Sequence, residues 1–182
     1  MAAQSLTENS KENDPKFSIL VDNFIRAIGH GISWLSIVLI VVILLQIILR
    51  YVFGMGQIFL EEAQWHLYAV VVMFGVSYGV VEDTHIRMDL IYGGLSHRKK
   101  EWIEIFAQVF FVMPFAMILF LKGVDLVGAA WRVNEGSASP GGIPWRWAIK
   151  SVLPISMAFY FLAAVSRTVR AFYNLFIRRI RK

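Results

Sequence analysis

Four stretches of the chain are apolar over lengths that a soluble element seldom needs. Gly31 to Leu49 (GISWLSIVLIVVILLQIIL) and Ile105 to Leu121 (IFAQVFFVMPFAMILFL) carry no ionisable side chain. Ala63 to Val81 carries only His66, near its start. Ser151 to Ser166 (SVLPISMAFYFLAAVS) is shorter, but Lys150 and Arg167 bracket it and can snorkel to the interfaces. Crossing the hydrocarbon of a bilayer takes about 20 residues, with a range of roughly 17–25. The pattern therefore predicts an all-α integral membrane protein with four transmembrane helices, at about 28–50, 61–81, 102–122 and 147–167.

Two further stretches have helical periodicity without the length to span. Phe17, Leu20, Phe24 and Ile28 recur on one side of the residues before the first span, with Asp22 and Arg26 on the other. After the fourth span, Arg167, Arg170, Asn174, Arg178 and Arg181 form one stripe, while Val169, Phe172, Phe176 and Ile180 form another. Both read as amphipathic interfacial helices, one at each terminus. In the tail, the expectation is an apolar face pressed into the leaflet, with Arg167, Arg170, Arg178 and Arg181 at anionic lipid headgroups. The chain then divides into a polar tail (1–16), a membrane domain (17–166) and a basic amphipathic tail (167–182).

Charge distribution gives the orientation. Of the eighteen Lys and Arg residues, thirteen lie in the N-terminal segment, the second loop and the C-terminal tail, and five lie on the opposite side. Basic flanks stay inside, so both termini and the second loop are expected in the cytoplasm. All six Trp (34, 65, 102, 131, 145 and 147) fall near span ends, where amphipathic rings prefer to lie. The net charge of +5 is thus read as membrane topology and lipid contact, not as nucleic-acid binding. No residue is a cysteine, which removes disulfides, Cys metal sites and thiol nucleophiles.

Candidate chemistry is sparse. No span has an acidic or basic residue near its middle, where a self-sufficient transporter keeps its ion or substrate ligands. Gln46, Ser77 and Gln108 read as interhelical hydrogen-bonding groups, and Pro114 and Pro154 as sites of kinks. A bis-His haem site is disfavoured, because His30 and His66 belong to opposite ends of their spans. There is no phosphate-binding glycine loop, zinc helix motif or serine elbow, so the chain reads as no enzyme, with no cofactor or metal of its own. Its chemistry is expected in a partner.

Short motifs then suggest which partner. RYVFG (Arg50 to Gly54) ends the first span, Glu61 and Glu62 open the second, HIRMD (His85 to Asp89) follows it, and SPGGIPWRW (Ser139 to Trp147) leads into the fourth. In order and spacing these resemble the small membrane subunit of tripartite ATP-independent periplasmic (TRAP) transporters, over roughly residues 45 to 165. The local sequence QIFLEEAQW departs from the family pattern by placing Phe59 one position away from the usual aromatic before the paired glutamates. The resemblance implies a bacterial inner-membrane scaffold that packs against a large elevator-type membrane subunit coupled to sodium. It also implies a periplasmic protein that delivers an organic anion such as a carboxylate, and which this subunit helps to dock.

Residue expectations follow from that reading. Arg50, Glu61, Glu62, Gly75, Gly79, His85, Arg87 and Asp89 are expected at the interface with the large subunit. Gly75 and Gly79, in GVSYG, form a small-residue face for close helix approach. Glu62 and Glu61 have a plainer reading at the positive end of a helix dipole. Arg87 argues against the acidic and histidine-bearing EDTHIRMDL stretch as a metal site, because it would repel the cation. Arg132, Glu135 and Arg146 are expected to touch the periplasmic protein. Two rival readings are a four-span assembly or signalling protein with no transport role, and a stand-alone small exporter.

Overall fold

A computed structural model of the chain describes residues 15–82 and 97–176. Among the described residues, four helical segments are long and apolar enough to cross a membrane: Lys16–Tyr51, Ile58–Val81, Arg98–Arg132 and Arg146–Leu175. The elements are α1 (Lys16–Tyr51), α2 (Ile58–Val81), α3 (His97–Ala107), a π-helical turn (Gln108–Val112), α4 (Met113–Arg132), α5 (Arg146–Lys150) and α6 (Val152–Phe176). Successive spans run up and down, so both described ends of the chain lie at one end of the bundle, here the terminal end. The loop of residues 133–145 and the link between α1 and α2 lie at the opposite end, here the loop end.

Each helix boundary has a local cause. Gly54, the glycine of RYVFG, takes φ 67°, a left-handed conformation that favours glycine, and the Met55 N–H then folds back to the Leu49 carbonyl at 2.9 Å. Pro114 has no N–H to give to the turn before it. The helix widens there, and the Met113 N–H reaches back five residues to the Gln108 carbonyl. Pro154 lies within the fourth span and has no N–H for the Lys150 carbonyl four residues back, and the helix is interrupted there, with α5 ending at Lys150 and α6 starting at Val152.

The expected lead-in helix is not separate from the first span. α1 is one helix of 36 residues, about 54 Å long at 1.5 Å per residue. Its polar stripe faces inward, with Ser18, Asp22, Ile25 and Gly29 buried, while Phe17, Leu20 and Phe24 are exposed. Apolar side chains therefore face out along most of the helix, with Lys16, Asn23, His30 and Arg50 as exposed exceptions.

α6 is the hub of the bundle, packing against α1, α2, α3 and α4. It can do so because its contact surfaces are small: Ser156, Ala163, Ala164, Ser166 and Ala171 are all buried. Among them lies the apolar core, Ile25, Val80, Val81 and Ala163, flanked by Val21, Phe159 and Tyr160. In lipid, close approach of backbones is the main source of packing attraction, because lipid tails are as apolar as the side chains. Two glycines supply that approach. Gly29 lies against the face of the Tyr78 ring, and a Cβ at Gly123 would come within 3.0 Å of Pro154.

Gly29→Ala should therefore force a methyl into the Tyr78 ring and cost about 1–3 kcal/mol, the range for overpacking. Gly75→Ala, whose Cβ meets nothing within 4 Å, should not lower the stability of the isolated chain and can raise it by up to about 1 kcal/mol. Detergent unfolding curves of the two variants check the contrast; equal effects would contradict it.

Candidate functional site

Polar side chains gather at the two ends of the bundle. At the terminal end the organising group is the Asp22 carboxylate on α1. It accepts a hydrogen bond from the Ser166 hydroxyl at 2.8 Å and forms an ion pair with Arg170, both on α6. Ser18 and Ser166 share a hydroxyl contact at 2.6 Å, and Arg170 also donates to the Ser18 hydroxyl at 3.3 Å. One turn earlier on α6, Arg167 pairs with Glu104 of α3 and donates to the Val80 carbonyl of α2 at 2.9 Å. Arg26 closes the ring with Glu82 at 2.8 Å, tying α1 to the end of α2. Every spanning segment is thus tied by charge at this end.

At the loop end the organising group is Glu62. Its carboxylate accepts the Ser137 hydroxyl and the Ile143 N–H (2.6 Å), with an Arg146 guanidinium nitrogen 4.0 Å away. The glycines of the SPGG turn are needed there, since a Cβ on Gly142 would lie 2.7 Å from a Glu62 oxygen. A second clasp joins Glu135 to Lys150, and the Arg146 N–H donates to the Glu135 carbonyl at 2.8 Å. Trp131 and Trp147 meet edge to face at 4.5 Å. Trp145 is held in the left-handed region at φ 62°, an uncommon and costly conformation for a bulky residue. The loop is therefore a fixed platform fastened to the first turns of α2.

Glu62 and Val80 lie eighteen residues apart on α2, about 27 Å at 1.5 Å per residue. That matches a hydrocarbon thickness of about 30 Å, so the two polar clusters bracket one bilayer. Between them, Ser77 donates to the Ser156 carbonyl at 3.2 Å, as an interhelical group should. Gln108 does not act this way: its buried side-chain amide oxygen at the π turn has no partner among the described residues. No group of three or more His, Cys, Asp or Glu could hold a metal among the described residues.

One family accounts for this arrangement of spans and loops. The family described as "Tripartite ATP-independent periplasmic transporters, DctQ component" matches residues 39–174, well over half of the chain. The chain belongs to this family. No curated protein and no solved structure matches it. The DctQ assignment makes the chain a small membrane component of a TRAP transporter, and it covers the RYVFG, paired-glutamate, HIRMD and SPGGIPWRW stretches together.

Within this DctQ chain the expected site residues fall into distinct groups. Arg50, Glu61 and Gly75 are exposed, and Gly79 is half-buried. Glu62 is engaged inside the chain by the loop, and Glu135 and Arg146, expected at a docking surface, turn their charges to Lys150 and Glu62. Arg132 is exposed beside them. Arg167 and Arg170, expected at lipid headgroups, pair with Glu104 and Asp22 within the bundle. His85, Arg87 and Asp89, like Arg178 and Arg181, lie outside the described residues. Sequence reasoning missed Ser18, Ser166, Glu82 and Glu104. The available signal was the complementarity of two stripes, acidic Asp22 on the first helix and basic Arg167 and Arg170 on the last.

Asp22→Ala leaves Arg170 without its carboxylate. The expected loss is about 1–3 kcal/mol, below the ~3–5 of a fully buried pair because Arg170 keeps 31% side-chain exposure. Asp22→Ala with Arg170→Met should lose less than Asp22→Ala alone, since the unpaired charge is gone. Unfolding of the three variants in mild detergent measures this, and a double variant worse than the single would contradict it.

Proposed function

We propose that this DctQ subunit is a fixed scaffold for a large elevator-type membrane subunit in sodium-coupled uptake of an organic anion such as a carboxylate. Its terminal end faces the cytoplasm of a bacterial inner membrane, and its loop end faces the periplasm. The observation that carries the scaffold role is a stripe along α2. Val72, Gly75 and Val76 are exposed at helical spacing, and Gly75 forms a notch with nothing within 4 Å of its Cβ position. The chain's own helices do not use that notch, and a helix of the large subunit fits it.

The polar groups support the same division of labour. The carboxylates of Asp22, Glu62 and Glu104 are all occupied by partners within the chain. Lys122 and Asp125 pair with each other across one turn of α4. Ion and substrate binding then belong to the large subunit. The fastened 133–145 platform, with Arg132, Trp131 and Trp145 exposed, offers a rigid surface to the periplasmic binding protein.

Deletion of this chain should abolish sodium-dependent uptake across a panel of radiolabelled small carboxylates, with the large subunit still expressed. Unchanged uptake would favour the rival reading of a membrane protein with no transport role. Gly75→Leu should lose the large subunit from a tagged pull-down in mild detergent while the chain itself remains in normal amount. Full recovery would show that the α2 stripe meets lipid.

A further inference from the structure

A groove of about 270 Å³ opens between α1 and α2, lined by Leu39, Ile43, Gln64, Trp65 and Tyr68. These positions lie in the half of the spans nearer the loop end. Four of the five linings offer an apolar wall, and the fifth is a primary amide. Gln64 is half-buried and makes no side-chain hydrogen bond with any described residue, so its two donors and its acceptor are open to an occupant of the groove. An amide left so at the edge of hydrocarbon is costly without a polar occupant.

Helical spacing puts opposite charges above this groove. Arg50 follows Leu39 and Ile43 on the same side of α1, seven residues beyond Ile43 and about 10 Å higher. Glu61 lies one turn beyond Gln64 and Trp65 on α2. Both side chains are exposed, and neither has an ion-pair or hydrogen-bond partner among the described residues. The contrast with the next residue is direct. Glu62 is committed to the loop, whereas Glu61 beside it is left open.

We infer that this groove is a binding site for a phospholipid with a phosphate and a primary ammonium in its headgroup, of the phosphatidylethanolamine class. An acyl chain lies along Leu39, Ile43 and Trp65. The Gln64 amide donates to a glycerol ester carbonyl. Arg50 takes the phosphate, as a guanidinium suits its oxygens, and Glu61 accepts from the ammonium. Phosphatidylcholine carries no N–H for Glu61. A purely anionic head offers Glu61 no cation and meets its repulsion. The site assigns Arg50 and Glu61 to lipid, leaves the Gly75 notch to the partner subunit, and does not depend on the transport reading.

Trp65 in the groove wall reports occupancy directly. The full chain is reconstituted in phosphatidylcholine vesicles, and dibrominated phosphatidylethanolamine, phosphatidylcholine or phosphatidylglycerol is titrated in, since bromine quenches indole fluorescence. Subtracting the Trp65→Phe titration isolates the Trp65 signal. Brominated phosphatidylethanolamine should half-quench Trp65 at a mole fraction about five-fold lower than brominated phosphatidylcholine, the scale of the one partly exposed charge contact, at Glu61, that distinguishes them. Glu61→Gln, at an exposed position, should bring the two curves together, whereas Arg50→Gln removes a phosphate contact that both lipids make and should leave their separation, with helical content unchanged in both. Coincident curves for all three lipids in the unaltered chain would mean ordinary surrounding lipid and would overturn the assignment. So would a preference for phosphatidylglycerol, or a Trp65 that no lipid quenches because a protein segment fills the groove.

Discussion

Asp22 is a carboxylate buried inside the bundle, and a charge taken out of water is costly unless the protein itself pairs and hydrogen-bonds it. It is satisfied from α6, by the Ser166 hydroxyl and the Arg170 guanidinium. That single requirement turns the polar stripe of α1 inward, brings the first and last helices together, and leaves Phe17, Leu20 and Phe24 on the outside. Arg167, one turn away, then completes the same end by reaching Glu104 on α3 and the Val80 carbonyl on α2. The small residues of α6 follow from this as well, because side chains larger than Ala or Ser would keep these groups apart.

The loop end obeys the same rule with different parts. There Glu62 draws the Ser137 hydroxyl and the Ile143 N–H onto α2, and the resulting platform tolerates a left-handed Trp145. Backbone strain of that kind persists where the surroundings over-determine the conformation. About 27 Å of α2 separates the two polar ends, so the charged groups define the slab in which the apolar surface must lie. What remains outside is a broad apolar face with a notch at Gly75 and a groove beside Trp65, which is the surface expected of a DctQ component that works with other subunits.

Much of this was legible in the chain. The four apolar runs correspond to the four spans because length and lack of charge leave few alternatives. The RYVFG, paired-glutamate and SPGGIPWRW stretches pointed to the family that matches residues 39–174. The direction of the amphipathic stripes was not legible. Periodicity places Asp22 opposite Leu20 and Phe24 but does not say which side meets the bundle, and the same pattern serves a helix lying on a membrane. Long-range pairs such as Glu62 with Ser137 or Glu104 with Arg167 were out of reach for the same reason, since they depend on how helices cross. The π turn at Gln108 had its cause in view in Pro114, but a proline alone does not specify whether a helix kinks or widens.

The inward polar stripe is tested most directly by a cross-link. The chain has no cysteine of its own, so an introduced pair is unambiguous. With Ser18→Cys and Ser166→Cys, whose hydroxyl oxygens lie 2.6 Å apart, mild oxidation in native membranes should give a disulfide that shifts gel mobility. The pair Leu20→Cys and Ser166→Cys should stay reduced, because Leu20 is 72% exposed. No cross-link in the first pair, or equal cross-linking in both, would put the start of α1 elsewhere and contradict the clamp at Asp22.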